Sequence, residues 1–233
     1  IGETGRSELH AVNWTVTLPG AKSHDNAATV GGGIYVGEAD SAGVVTVSSA
    51  TVTGNTASDD GGGIYVDGVA DDGSSLTISD SVVSTNTAVD FGGGIYLRQI
   101  GGGATSTAKV TIVRTTVDGN STTGGYGGGI AVDDPSNETS GLPTVLIDSS
   151  TLSNNTTPAG GGGLYVGGFS GPATSFVALT NSTVTGNLAQ AGGGVYVEAS
   201  GLPGPKLLDT VVSHSSIADN CAHSSAGIEL KSG

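Results

Sequence analysis

Adjacent carboxylates are the residues of this chain with the clearest capacity for chemistry. Three such pairs occur, Asp59-Asp60, Asp71-Asp72 and Asp133-Asp134. Paired carboxylates can hydrolyse a glycosidic bond by acid–base catalysis, and clustered carboxylate oxygens can hold Ca²⁺. Each pair is followed directly by Gly or Pro, as is typical of a turn in which acidic side chains face water. We therefore expect solvated loop carboxylates and no catalytic residues, with a structural Ca²⁺ ion at these acidic loops as the alternative.

Basic residues that could complete a catalytic set are few. The chain has seven Lys and Arg in total, among them Arg98, Lys109 and Arg114. The only His beside an acidic residue is His24, which precedes Asp25. A polysaccharide hydrolase or lyase needs carboxylates and basic groups that converge on one site, so we predict that the protein is not an enzyme and needs no cofactor.

The elements that must position these residues come from a repeat. An Asn recurs every 29 to 35 residues, and a Gly-Gly-Gly-aliphatic motif follows each Asn after five to seven residues. A period near 30 that tolerates small insertions is typical of a solenoid, in which each repeat forms one coil. The motif reads GGGIYV at 31–36 and 61–66, GGGIYL at 92–97, GGGIAV at 127–132, GGGLYV at 161–166, GGGVYV at 192–197 and, degraded, SAGIEL at 225–230.

Aliphatic residues hold fixed positions within each repeat. Three residues before the Asn stands Val52, Val117 or an equivalent aliphatic residue, and eight before it stands Val47 or Ile112. Ten before it stands Val45 or Val110, so alternation with period two indicates a strand with one buried face. We predict an all-β fold, a right-handed parallel β-helix of about seven turns with three short strands per turn.

The Asn column itself predicts a ladder inside the coil. A side-chain amide both donates and accepts, so Asn residues stacked at the coil spacing can hydrogen-bond along the axis. Asn also tolerates the left-handed backbone conformation of a sharp turn. The predicted structural ladder consists of Asn55, Asn86, Asn120, Asn155, Asn187 and Asn220.

A Tyr column lies in the strand after each glycine triplet. Alternation in this strand places the aliphatic residues inward and the Tyr outward. We expect an exposed aromatic stripe stacked along the axis, with contact to another protein or to a glycan as alternatives. The column consists of Tyr35, Tyr65, Tyr96, Tyr165 and Tyr196.

Composition bounds the compartment and the partners. The net charge of −14 argues against binding nucleic acid or an anionic membrane surface. No apolar run is long enough for membrane insertion, and the acidic, Lys-poor composition fits an extracellular or cell-surface protein. We interpret 1–233 as one domain, with an irregular first turn over 1–25 and regular repeats over 26–230. The single Cys221 is predicted to be a small buried hydrophobe.

The motifs resemble the GGAI and FxxN repeats of the polymorphic outer-membrane proteins, a family of bacterial surface β-helices. The first motif corresponds to GGGI at 31–34, 61–64, 92–95 and 127–130, and the second to VTGN at 52–55 and 184–187 and VDGN at 117–120. Val, Leu or Ile replaces the family's Phe, and Gly replaces its Ala. The resemblance implies a structural or adhesive surface protein without catalytic residues to transfer.

Two classes of function follow from these observations. The first is a non-catalytic extracellular structural or adhesive protein that self-associates, end to end into a filament or side by side. Neither terminal stretch reads as a helical cap, and exposed strand edges are templates for another chain. The alternative is a polysaccharide-active enzyme or glycan-binding module on a pectin-lyase-like β-helix.

Overall fold

The computed structural model of the chain describes residues 8–12, 15–40, 43–69, 73–101, 109–133, 135, 144–167, 175–199 and 208–232. Every regular element within these ranges is a β-strand. Equivalent strands of successive repeats pair in parallel and form three long sheets, named A, B and C, and a row of very short strands, named sheet D. The predicted fold class, an all-β parallel β-helix, is confirmed.

The sheets follow one another in the same order in each repeat. In the described part of the chain, sheet A contains the strands Glu8–Val12, Ile34–Asp40, Ile64–Val66, Ile95–Arg98, Ile130–Asp133, Leu164–Gly167, Val195–Ala199 and Ile228–Ser232. Sheet B contains Thr15–Pro19, Val44–Ser48, Ser75–Ser79, Lys109–Val113, Val145–Asp148, Ser175–Thr180 and Leu208–Ser213. Sheet C contains Lys22–His24, Thr51–Thr53, Val82–Ser84, Thr116–Asp118, Thr151–Ser153, Thr183–Thr185 and Ser216–Ala218.

Sheet D is an element that the aliphatic pattern does not predict. Its strands are two residues long, because a corner precedes them and the glycine-rich loop follows. Isolated bridges from Thr156 to Ser121 and to Leu188 join its two parts into one row. The strands are Ala27–Ala28, Thr56–Ala57, Thr87–Ala88, Ser121–Thr122, Leu188–Ala189 and Cys221–Ala222.

The aliphatic columns meet in register inside the coil. Ile78 of sheet B pairs with Val47 on one side and Ile112 on the other. In sheet C, Val83 lies between Val52 and Val117, and all three are fully buried. One continuous hydrophobic cluster therefore fills the interior of the coil from end to end of the regular repeats.

Left-handed residues form the corners. The chain turns from sheet B to sheet C at Ser49, Arg114 and their equivalents, whose φ angles are near 50°. The residue directly after this corner is small, as in Ser81 and Ser150, and is buried. Its hydroxyl accepts a hydrogen bond from the backbone of the preceding coil, as in Thr115 N to Ser150 Oγ at 3.1 Å.

The two ends of the repeat pattern add to what the sequence predicts. Within the expected irregular first turn, residues 8–12, 15–19 and 22–24 are strands that pair in parallel with the next coil, with a shift of register between Leu9 and Ala11. Cys221 is exposed rather than buried. It pairs in sheet D with Leu188, which is 47% exposed, because this position of the repeat faces outward.

Candidate functional site

The Asn column forms a hydrogen-bonded ladder along the coil axis. Asn120 donates from its backbone N–H and from Nδ2 to Asn155 Oδ1, both at 3.0 Å. The second hydrogen of its amide group is donated to the carbonyl of Val83, also at 3.0 Å. Asn120 Oδ1 accepts the same pair of bonds from Asn86, so each interior amide is satisfied on all sides. The interior members Asn55, Asn86, Asn120, Asn155 and Asn187 have no exposed surface.

The residue before each Asn makes the sharp turn. Its φ angle is positive in every repeat, and the position holds Gly54 and Gly119 but also Thr85 and Asn154. The ladder Asn has an ordinary negative φ, so our explanation of the column by a left-handed Asn is wrong. The column therefore depends on side-chain hydrogen bonding, while its neighbour carries the backbone strain.

The Tyr column lies on the outer face of sheet A but is not exposed. The five Tyr are only 3% to 7% exposed, so the prediction of a surface aromatic stripe is wrong. The side chains of Val30, Phe91 and Tyr126, together with Ala191, pack over the column and form a second hydrophobic cluster with it. These covering residues stand directly before glycine triplets, and alternation within one strand cannot reveal them.

Ring geometry shows how the cover is made. The rings of Tyr35 and Tyr65 stack with centroids 5.3 Å apart. Ala131 interrupts the column, and the ring of Tyr126 packs against Tyr165 at 4.6 Å near this position. The Tyr column therefore belongs to a second hydrophobic core. Its ring packing stabilises the fold and does not form a binding surface.

The hydroxyl ends of the Tyr column meet a row of charged side chains. Tyr35 and Tyr65 donate to the two carboxylate oxygens of Asp67, at 3.0 and 3.2 Å. Arg98 forms an ion pair with the same carboxylate at 2.7 Å. Tyr96 donates to Asp133 Oδ2 at 3.0 Å. Burial raises the pKa of Tyr96 well above its ordinary range, with the nearby carboxylate of Asp133 adding to the effect, so this hydroxyl stays a neutral donor.

One acidic pair gains a third carboxylate in the fold. Oxygen atoms of Asp59, Asp60 and Asp90 lie within 4.8 Å of one another, an arrangement with the ligand type that Ca²⁺ prefers. Burial raises the pKa of Asp60 to about 6, against the lowering effect of a hydrogen bond from the Phe91 N–H, and the Asp59 and Asp90 charges add to the rise. A structural Ca²⁺ ion, the alternative that the sequence left open, would bind at this cluster.

The remaining candidate charges do not converge on this cluster. Arg114 pairs with Asp80 at 2.6 Å across exposed surface, and His24 pairs with its neighbour Asp25. Asp133 accepts from Tyr96 and its charge adds to the raised pKa of Asp60, but it is not one of the three carboxylates that lie within 4.8 Å of one another. Asp71, Asp72, Asp134 and the Lys109 side chain lie outside the described residues.

A cavity of about 430 Å³ opens beside the Tyr column toward the C-terminal coils. Its lining includes the ring of Tyr126 and the small residues Ala159, Gly160 and Ala191. Its rim is polar, with Gln190, His223, Ser224 and Lys231. Sequence reasoning missed this cavity, although the change from aromatic to small residues before the glycine triplets was a readable signal.

Comparison with known proteins identifies the fold family and nothing narrower. A family model described as the right-handed beta helix region matches residues 13–233, in agreement with the predicted hand of the coil. No curated protein and no solved structure matches the chain. Among the described residues, no helix is long and apolar enough to span a membrane.

Proposed function

The chain belongs to this right-handed β-helix family, and we propose that it is a non-catalytic structural or adhesive protein that acts outside the cell. The observation that carries the proposal is the internal use of its polar groups. The Asn ladder satisfies its amides entirely within the coil. Arg98 and Arg114 are both held in ion pairs with carboxylates. These groups hold the coils together, which is what a load-resistant or display scaffold requires.

An extracellular location follows from the surface chemistry in this proposal. The net charge of −14 favours a soluble surface that repels nucleic acid and anionic lipid. The resemblance to bacterial surface repeats supports the same compartment. A membrane-impermeant amine-reactive biotin reagent, applied to intact source cells, should label the exposed Lys22. Labelling that appears only after lysis would contradict the extracellular assignment.

End-to-end association is part of the proposal, and the polarity of the ladder supports it. Each Asn of the column from Asn26 to Asn187 donates to the Asn of the following coil, and Asn220 is the last acceptor. The Asn26 end therefore offers an acceptor and the Asn220 end offers a donor, a complementary pair for a second copy. A heterologous contact of this kind builds an open filament.

Particle length tests the stacking. Electron microscopy and sedimentation at increasing concentration should show rods that grow in the parent protein. Leu230→Lys places a charge on a side chain that is 74% exposed at one end and should shorten the rods. Leu188→Lys is the matched control, because Leu188 is also exposed but lies on the side of the coil. A parent protein that stays monomeric, or an unchanged Leu230→Lys rod, would refute stacking.

The alternative of a polysaccharide-active enzyme is tested separately. Purified protein incubated with neutral and acidic polysaccharides should release no new reducing ends and no unsaturated products. Release that is abolished by Asp60→Asn would overturn the non-catalytic part of the proposal, since Asp60 belongs to the only carboxylate cluster of this kind found among the described residues.

A further inference from the structure

The cavity near the C-terminal coils exists because one column of the repeat changes character. This column holds the residue directly before each glycine triplet. Its members align because the first triplet glycine donates to the next member's carbonyl, as in Gly92 N to Tyr126 O and Gly127 N to Gly160 O, both at 3.0 Å. Phe91 and Tyr126 place rings over the Tyr column. The next two members are Gly160 and Ala191, which have no ring to place there, and the space beside Tyr126 stays open.

Gly160 cannot close this space by a simple substitution. A Cβ at this position would lie 2.9 Å from Cγ of Tyr196, so the Tyr196 ring packs directly against the Gly160 backbone. Ala191 differs, because it is only partly buried and its backbone pairs with Gly160 in a parallel bridge. The cavity is therefore bounded on one side by packed rings. On the other side it is bounded by Ala191, where a larger side chain can be introduced.

The rim carries side chains that can hydrogen-bond to a ligand. Gln190, His223 and Ser224 are exposed and come from the loops of two successive coils. Together they offer an amide and an imidazole, which both donate and accept, and a hydroxyl. The Ser224 hydroxyl already donates to the Glu229 carboxylate and can therefore only accept from a ligand. The positive charge of Lys231 is already paired with Glu198 at 2.9 Å. The site thus offers polar contacts with little net positive charge.

A flat ring with an apolar face and several hydroxyls matches this combination. The Tyr126 ring packs against Phe91 and Tyr165 but stays partly exposed in the cavity lining. Its exposed part can contact the C–H groups of a pyranose, while the rim groups bind the hydroxyls. The chain's charge of −14 disfavours uronic or other acidic sugars. We propose that this cavity binds one residue of a neutral oligosaccharide. The inference rests on the adhesive part of the proposed function and gives it a recognition site.

Filling the cavity tests the site without removing its packing. Ala191→Tyr places a ring where the same column already carries Tyr126 in another coil, so the fold should accept it. Titration calorimetry with maltohexaose, cellohexaose and hexa-N-acetylchitohexaose should show saturable binding of at least one by the parent protein. Ala191→Tyr should weaken that binding by about tenfold or more, and Gln190→Ala and His223→Ala should weaken it to a smaller extent.

Two controls make the result specific. Thr29→Ala alters an exposed residue at the Gln190 position of an early coil and should leave binding unchanged. A short polygalacturonate should bind more weakly than the neutral probes. Absence of binding by all neutral probes, or unchanged binding by Ala191→Tyr with a parent-like melting curve, would overturn the proposal. Cell-surface labelling is independent of this titration, so failure of the sugar site and failure of the extracellular assignment are distinguishable.

Discussion

Asn120 and Asn155 are joined by two hydrogen bonds to a single oxygen. The backbone N–H and the side-chain Nδ2 of Asn120 both donate to Asn155 Oδ1 at 3.0 Å, in an environment without solvent. The pair couples adjacent coils through main chain and side chain together. Removing one member leaves buried donors or acceptors on both neighbours, so the ladder should respond to mutation according to position.

A profile of alanine substitutions along the ladder should show this positional dependence. Asn120→Ala should lower the free energy of unfolding by about 1–3 kcal/mol, because buried groups on both sides lose partners. Asn26→Ala should cost less, since Asn26 is half-exposed and water can replace its bonds. Denaturant unfolding followed by circular dichroism measures both. Equal losses of unfolding free energy for Asn120→Ala and Asn26→Ala would show that burial does not determine how much a ladder Asn contributes to stability.

Val82 and Val83 provide a matched pair for the inward and outward faces of sheet C. Val83 is fully buried and Val82 is 41% exposed, although they are adjacent and chemically identical. Val83→Asp should destabilise by about 3–5 kcal/mol, because it leaves an unpaired carboxylate in the core. Val82→Asp should stay within about 0.5 kcal/mol of the parent. Similar melting temperatures for the two variants would contradict the assigned strand register.

The Asn ladder and the Val82–Val83 pair also show what the sequence could predict. The strand alternation around Val83 and the recurrence of Asn each have a period that can be read along one repeat. Their positions in the coil follow from that period. The burial of Tyr96 could not be read in this way, because its cover comes from Phe91 and Tyr126, which belong to a different column and to neighbouring coils. The corner at Thr85 was equally hidden, since Thr disfavours the left-handed conformation that the coil imposes on it.

Tyr96 tests whether the Tyr column is a second core. Tyr96→Ala should cost about 3–5 kcal/mol of stability, as expected for an aromatic residue removed from a packed interior. Tyr96→Phe keeps the ring and loses only the hydrogen bond to Asp133, so it should cost about 1 kcal/mol. Unfolding of both variants by guanidinium gives the comparison. A loss of only about 0.5 kcal/mol for Tyr96→Ala would contradict a second core around the Tyr column.

Asp60 should make stability depend on pH. Its pKa is raised from 3.8 to about 6, chiefly by burial, so the folded state holds this proton more tightly than the unfolded state. The Asp60 contribution to stability is therefore fully present below pH 3.8 and is lost as pH rises toward about 6. Asp60→Asn keeps an oxygen that can accept from Phe91 N–H and removes this penalty.

The expected gain from Asp60→Asn is modest because the carboxyl is only half buried. We expect about 1 kcal/mol at pH 7, or about 2–4 °C in melting temperature, and no gain at pH 3.5, about the lower limit of the window. Melting curves at both pH values measure the difference. An equal gain in melting temperature at pH 3.5 would show that the stabilisation by Asp60→Asn does not come from removing an ionisable carboxyl. Stabilisation of the parent by Ca²⁺ that is absent in Asp60→Asn would instead assign a metal ion to the cluster.

Polar side chains couple the coils along the axis. A double-mutant cycle with Asn120→Ala and Asn155→Ala measures this coupling directly, with Asn55→Ala and Asn187→Ala as a pair that shares no hydrogen bond. We expect a coupling energy of about 1 kcal/mol or more for the adjacent pair and additivity within about 0.5 kcal/mol for the separated pair. Additive losses for Asn120 and Asn155 would contradict coupling through the ladder.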